Sequence, residues 1–178
     1  MARAAKAAQP RSRLSAQVHR ALREGALYVF GALALMLWYA LFTYDPAEPG
    51  FNHATTDTTV RNGMGAVGAY VADFLFGFFG RPAYLFTVMV FYLGWMLYRE
   101  QKTQVELTRL DFALRVGGFV LTLVTSCALA ALHFSAAGFT NSAGGIIGEA
   151  VGSGLVALFK LLGASTLLFC IWIASLSL

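Results

Sequence analysis

NGMGAVGAYVADFLFGFFGRPAYLFTVMVFYLGWMLYR, from Asn62 to Arg99, decides how the rest of the chain is read. A glycine-spaced helix runs into the turn Gly80-Arg81-Pro82, and an uncharged apolar run then ends at a basic flank. Gly65, Ala69, Asp73 and Gly77 stand four residues apart and share one helical face, with Val67, Val71, Phe74, Leu75 and Phe78 on the opposite side. The spacing predicts an amphipathic helix with a small, weakly polar stripe. Pro82 cannot continue it, because its ring removes an N–H and clashes with the preceding turn, and Gly80 tolerates the reversal. From Ala83 to Tyr98 no residue is charged. At about 1.5 Å per residue this run covers about 24 Å, slightly short of a hydrocarbon core of about 30 Å. Tyr84, Tyr92, Trp95 and Tyr98 are expected to help seat it at the interfaces.

Outward from this unit, 58% of the 178 residues are apolar and 12% are charged, and mean hydropathy is +0.65. These values mark an integral membrane protein and leave too little polar chain for a separate soluble domain. Packing must be helix on helix in lipid. The net charge of +4 is concentrated, which makes it a topology signal first. Residues 1–24 carry Arg3, Lys6, Arg11, Arg13, Arg20 and Arg23 against Glu24 alone, and predict a disordered basic cytoplasmic tail that fixes orientation. Binding of that tail to nucleic acid or anionic lipid stays open. Cys127 and Cys170 each lie in an apolar run, where a free thiol is expected.

Residues 25–178 read as a four-span membrane domain, with spans at about 25–43, 83–98, 110–132 and 163–178. The first is a retained signal anchor, being long and without a cleavage signature. Helices at about 63–80 and 145–160 belong to the two outer loops. Were 63–80 itself a span, the loop with Arg99, Lys102 and Arg109 would fall outside, against the positive-inside bias. An interfacial or re-entrant helix keeps that loop inside. Asp111 and Arg115 can pair at the entry of the third span. The last run is apolar to Leu178 with no stop charges, so the chain is expected to be the front part of a longer protein.

The opening unit returns later in the chain. Gly145, Gly148, Val151, Leu155 and Phe159 follow Gly65, Gly68, Val71, Leu75 and Phe79 by eighty residues. After a three-residue insertion, Gly163, Leu168 and Phe169 follow Gly80, Leu85 and Phe86. The stripe recurs as Gly145, Glu149, Ser153 and Ala157. Two tandem copies of span, outer loop, amphipathic helix and span are expected, in parallel orientation.

The sequence holds no P-loop, G-x-S-x-G or H-E-x-x-H motif. His19, His53 and His133 are scattered, so no metal site and no catalytic residue is expected. Asp73, Glu149 and Lys160 lie in the outer helices. Apart from the Asp111 and Arg115 pair, the spans carry no ionisable group of the kind a transporter places near the midplane. What remains is packing. Gly65, Gly68, Gly77, Gly80, Gly145, Gly148 and Gly152 are candidate positions for helix packing within the chain or between subunits. Asp73 and Glu149 are candidate outer-face contacts, or else the solvated side of an interfacial helix.

TYDPAEPG (Thr43 to Gly50), VGAYVADFLFGFFG (Val67 to Gly80), AYL (Ala83 to Leu85), LGWMLYR (Leu93 to Arg99) and GGIIGEAVG (Gly144 to Gly152) follow a basic tail and a span. Together they resemble the N-terminal four-span domain of the FtsK/SpoIIIE family of bacterial DNA translocases. The resemblance implies an inner-membrane anchor at the division septum, with both termini cytoplasmic, for a hexameric pump that couples chromosome segregation to cell division. It implies a homo-oligomer, contacts with other division proteins, and DNA, ATP and Mg only through a motor domain that this chain lacks. The alternative is a small membrane transporter or channel with re-entrant helices.

Overall fold

The computed structural model describes residues 2–47, 60–99, 109–135 and 142–177, with the side chains of 2–17, 19, 20, 23 and 109–112 outside that description. Among these residues every regular element is helical: α1 (Ala2–Phe42), α2 (Gly65–Phe79), α3 (Tyr84–Arg99), α4 (Arg109–His133) and α5 (Gly145–Leu176), with a 3₁₀ turn at Arg81–Ala83. Three stretches are long and apolar enough to cross a membrane: Glu24–Phe42, Ala113–His133 and Gly145–Leu176. The side chain of Asp111, and with it the expected pair to Arg115, lies outside the described residues.

The basic N-terminal segment is helical, continuous with the first apolar stretch, and not the disordered tail its charge predicts. The Ala, Arg, Lys, Gln and Leu that fill it are strong helix formers, and the apolar helix beyond Glu24 supplies the costly nucleus.

The helices fall into two units. In the smaller, α1 up to Leu35 accompanies α3 from Val88 onward. A Cβ on Gly94 would meet Phe30 Cβ at 2.5 Å, so glycine lets the helices approach closely there. Arg99 lies over the Trp95 ring at 5.0 Å, and Tyr92 meets Trp95 at 5.9 Å, an aromatic and basic cluster suited to a membrane interface.

In the larger unit, α4 and α5 form the most extensive helix pair, and α2 packs on α5. Three polar contacts tie α4 to the second half of α5 in antiparallel register. His133 Nε2 lies 2.8 Å from Ser165 Oγ, Trp172 Nε1 donates to Ser126 Oγ at 2.9 Å, and Thr122 Oγ1 lies 2.8 Å from Ser175 Oγ. A core of Leu41, Ala72, Leu75, Phe76 and Ala83 seats α2 between the end of α1 and the 3₁₀ turn. Aromatic pairs extend it: Tyr44 with Phe76 at 4.8 Å, Phe79 with Phe86 at 4.8 Å, and Phe86 with Phe119 at 6.0 Å.

Two sequence readings are sharpened. First, the small stripe of α2, left open between a packed and a solvated face, lies on the packed side. Gly68, Ala69, Ala72, Asp73, Leu75, Phe76 and Gly77 are buried, whereas Gly65, Val67, Tyr70, Val71 and Phe74 are exposed. Where lipid is the solvent, large apolar side chains gain nothing by turning inward, and small residues take the packed face because they let helices approach. Second, α5 breaks at Lys160, which has φ 57° and ψ 174°. The break falls eighty residues after Gly80 (φ 61°), the same spacing as Gly65 to Gly145 and without the three-residue insertion that aligned Gly163 with Gly80.

Candidate functional site

The starts of α2 and α5, eighty residues apart, have similar geometry. At the first, Gly65 N donates to Asn62 O at 2.8 Å, the residue before the helix, Met64, has φ −99° and ψ 14°, and Gly65 has φ 67°. At the second, Gly145 N donates to Ser142 O at 2.9 Å, Gly144 has φ −100° and ψ 4°, and Gly145 has φ 65°. Positive φ is why glycine opens both helices. Each start is held by side-chain bonds that differ between the copies. Asn62 Nδ2 donates to the Ala40 carbonyl at 2.9 Å and its Oδ1 accepts from Met64 N at 3.0 Å, whereas Ser142 Oγ donates to the Gly145 carbonyl at 2.9 Å.

The end of α2 docks on the start of α5. Arg81 N donates to the Ala143 carbonyl at 2.8 Å, and Cys127 Sγ contacts the Phe79 carbonyl at 3.3 Å. A Cβ on Gly145 would lie 2.5 Å from the Phe78 carbonyl carbon, and one on Gly80 would strike the Ala143 carbonyl. The Arg81 guanidinium covers the Phe134 ring at 5.5 Å. Two backbone reversals thus interlock with no side chain between them.

Most of the candidate glycines serve contacts within the chain. Gly68 faces Asn62 and Ala40, Gly148 faces the Cys127 carbonyl, and Gly152 faces Leu132 at 3.2 Å. Gly77 is buried. Gly65 is the exception, since a Cβ there would find nothing within 4 Å. The two acidic candidates part company. Glu149 is exposed, whereas Asp73 is 2% exposed and its Oδ1 accepts from Tyr44 Oη at 2.9 Å. Asp73 is therefore part of the packed interior rather than a solvated outer face. Reasoning from spacing missed Tyr44, Asn62, Ser126 and Trp172. Their sole signal was position: polar groups at the edge of, or inside, apolar runs must find partners.

These helices, glycine contacts and buried hydroxyl bonds make a lipid-embedded packing module. A family model described as the 4TM region of DNA translocase FtsK/SpoIIIE matches residues 19–178. The chain belongs to this family. The matched part is the family's membrane region rather than its ATPase motor. A DNA translocase FtsK of Pseudomonas putida is 40% identical over 154 residues, 86% of this chain and 18% of that protein. The DNA translocase FtsK of Pseudomonas aeruginosa is 35% identical over 164 residues, 90% of this chain and 20% of its own length, and that of Vibrio vulnificus 30% over 157 residues. The chain thus spans about a fifth of the length of these FtsK relatives. No solved structure matches it.

Proposed function

We propose that this FtsK-type segment is the membrane anchor and assembly module of a septal DNA translocase in the bacterial inner membrane. The observation that carries the reading is the family match over residues 19–178, joined to an interior made of helix packing. The chain is read as crossing at α1, α3, α4 and the second half of α5, with both termini cytoplasmic. α2 and the first half of α5 then dip in from the outer face. Gly144 and Gly148 pack against Cys127, six residues before α4 ends at His133. That sets the start of α5 about 9 Å below the end of α4 at 1.5 Å per residue, as a re-entrant helix requires.

In this reading the lipid-embedded helices hold the motors of a homohexamer in one plane, while the outer helices, with Glu149 exposed, meet other division proteins. ATP, Mg and DNA engage only a motor domain beyond this chain. Replacing residues 19–178 of the full-length protein by an unrelated four-span segment tests it. Membrane attachment should persist while enrichment at the septum and chromosome segregation are lost. Unchanged septal enrichment would overturn the assembly role.

A further inference from the structure

The internal junction uses two shapes: a knob, the reversal Phe78 to Arg81 at the end of α2, and a socket, the turn Ala143 to Gly145 at the start of α5. The eighty-residue repeat builds each shape a second time. The second socket is Gly63 to Gly65, with the cap angles and turn hydrogen bond already given. The second knob is Leu158 to Leu161, reversing at Lys160 with φ 57°, close to the 61° of Gly80.

Their occupancy differs. The Gly145 socket is filled by the Phe78 and Phe79 backbone, whereas the equivalent Gly65 position has nothing within 4 Å, although the Tyr39 ring of the same chain packs against Gly63 at the other end of that turn. Phe78 and Phe79 are half-buried, whereas Leu158 is 76% exposed and Phe159 50% exposed. Lys160 is a residue with a side chain in a backbone region that is almost confined to glycine, a conformation that persists where surroundings impose it.

We propose that the knob around Lys160 of one copy seats in the Gly63 to Gly65 socket of a second copy of this chain, continuing between subunits the contact that joins the two repeats within one. The inference rests on the anchor reading, which puts both outer helices on one membrane face. Lipid alone fits an apolar tip, but it does not account for a socket whose twin is filled by the matching knob. The contact is heterologous, knob to socket, so it propagates in one direction and closes as a ring about the membrane normal if the rotation permits. By equivalence with Arg81 N and Ala143 O, the Leu161 amide of one copy faces the Gly63 carbonyl of the next.

Cysteine cross-linking of the full-length protein in native membranes tests this, in a Cys170→Ser background. Met64→Cys and Lys160→Cys, placed on separate chains and expressed together, should give a cross-linked dimer on oxidation. Either one alone should give none, and both on one chain should give a ladder beyond dimer. Ala66→Cys with Leu158→Cys, both at exposed positions, repeats the test with substitutions that leave the fold intact. Dimer from a single variant as strong as from the mixture would overturn the proposal in favour of a two-fold contact. It would also be overturned by no cross-link from chains that resist carbonate extraction and react with a small maleimide, or by cross-links to another protein only. Extraction by carbonate would sink the anchor reading itself, and the inference with it.

Discussion

Tyr44 and Asp73 show what a single polar pair does in an apolar interior. Asp73 comes from the middle of α2, and Tyr44 follows the end of α1, so their 2.9 Å hydrogen bond clamps the two elements together. The Tyr44 ring also packs at a tilt against Phe76, and Tyr44→Phe keeps that ring while removing the donor. The bond should contribute about 1–3 kcal/mol, because a buried acid that loses a donor bears its desolvation cost. Unfolding in mixed micelles should show that loss for Tyr44→Phe, and a much smaller one when the same change is made in an Asp73→Ala background. Equal losses in both backgrounds would mean that the hydroxyl acts elsewhere. The pair was illegible in the sequence: i, i+4 spacing put Asp73 in a stripe, but whether a stripe faces the protein or the solvent depends on what the solvent is. The glycines beside it were legible as packing positions, since lack of a side chain has one use between close helices.

Among the elements, legibility followed the strength of local chemistry. The end of α2 is written in Gly80, which takes φ 61°, and in Pro82, which has no N–H for the Phe78 carbonyl and crowds it, and the 3₁₀ turn stands at Arg81–Ala83. The break in α5 at Lys160 has no such residue, and lysine is a good helix former. Only tertiary demand, the return of α5 along α4, explains its place. That return is stapled by the Trp172 to Ser126 hydrogen bond at 2.9 Å. Side-chain hydrogen bonds between membrane helices average about 0.6 kcal/mol and reach about 1.7 kcal/mol, because the separated helices also find partners. A double-mutant cycle of Trp172→Phe and Ser126→Ala should therefore give a coupling of about 0.6–1.7 kcal/mol. A coupling indistinguishable from zero would show that the pair is geometry without energy.

For the whole molecule, the question is how many times the chain crosses the membrane. α2 has 15 residues and covers about 22 Å, and the first half of α5 is no longer, so neither reaches across a core of about 30 Å. α3, with 16 residues, is nearly as short, so length alone does not separate a span from a re-entrant helix here. Charge does. Arg99, Lys102 and Arg109 cluster between α3 and α4, like the arginines before Glu24, whereas Asp45 to Arg61 and His133 to Gly144 hold one basic residue other than histidine between them. Placing both basic segments inside requires one of α2 and α3 to cross and the other not to, and the proposed reading makes α3 the span. Reporter fusions at Ala47 and Ser135 should then give high alkaline phosphatase activity and no fluorescence from a cytoplasmic-only fluorescent protein, and fusions at Thr103 and after Leu178 the reverse. Phosphatase activity at Thr103 would mean that α2 and α3 both cross the membrane or that neither does, and the proposed arrangement of outer helices, with the common face on which knob and socket could meet, would fall.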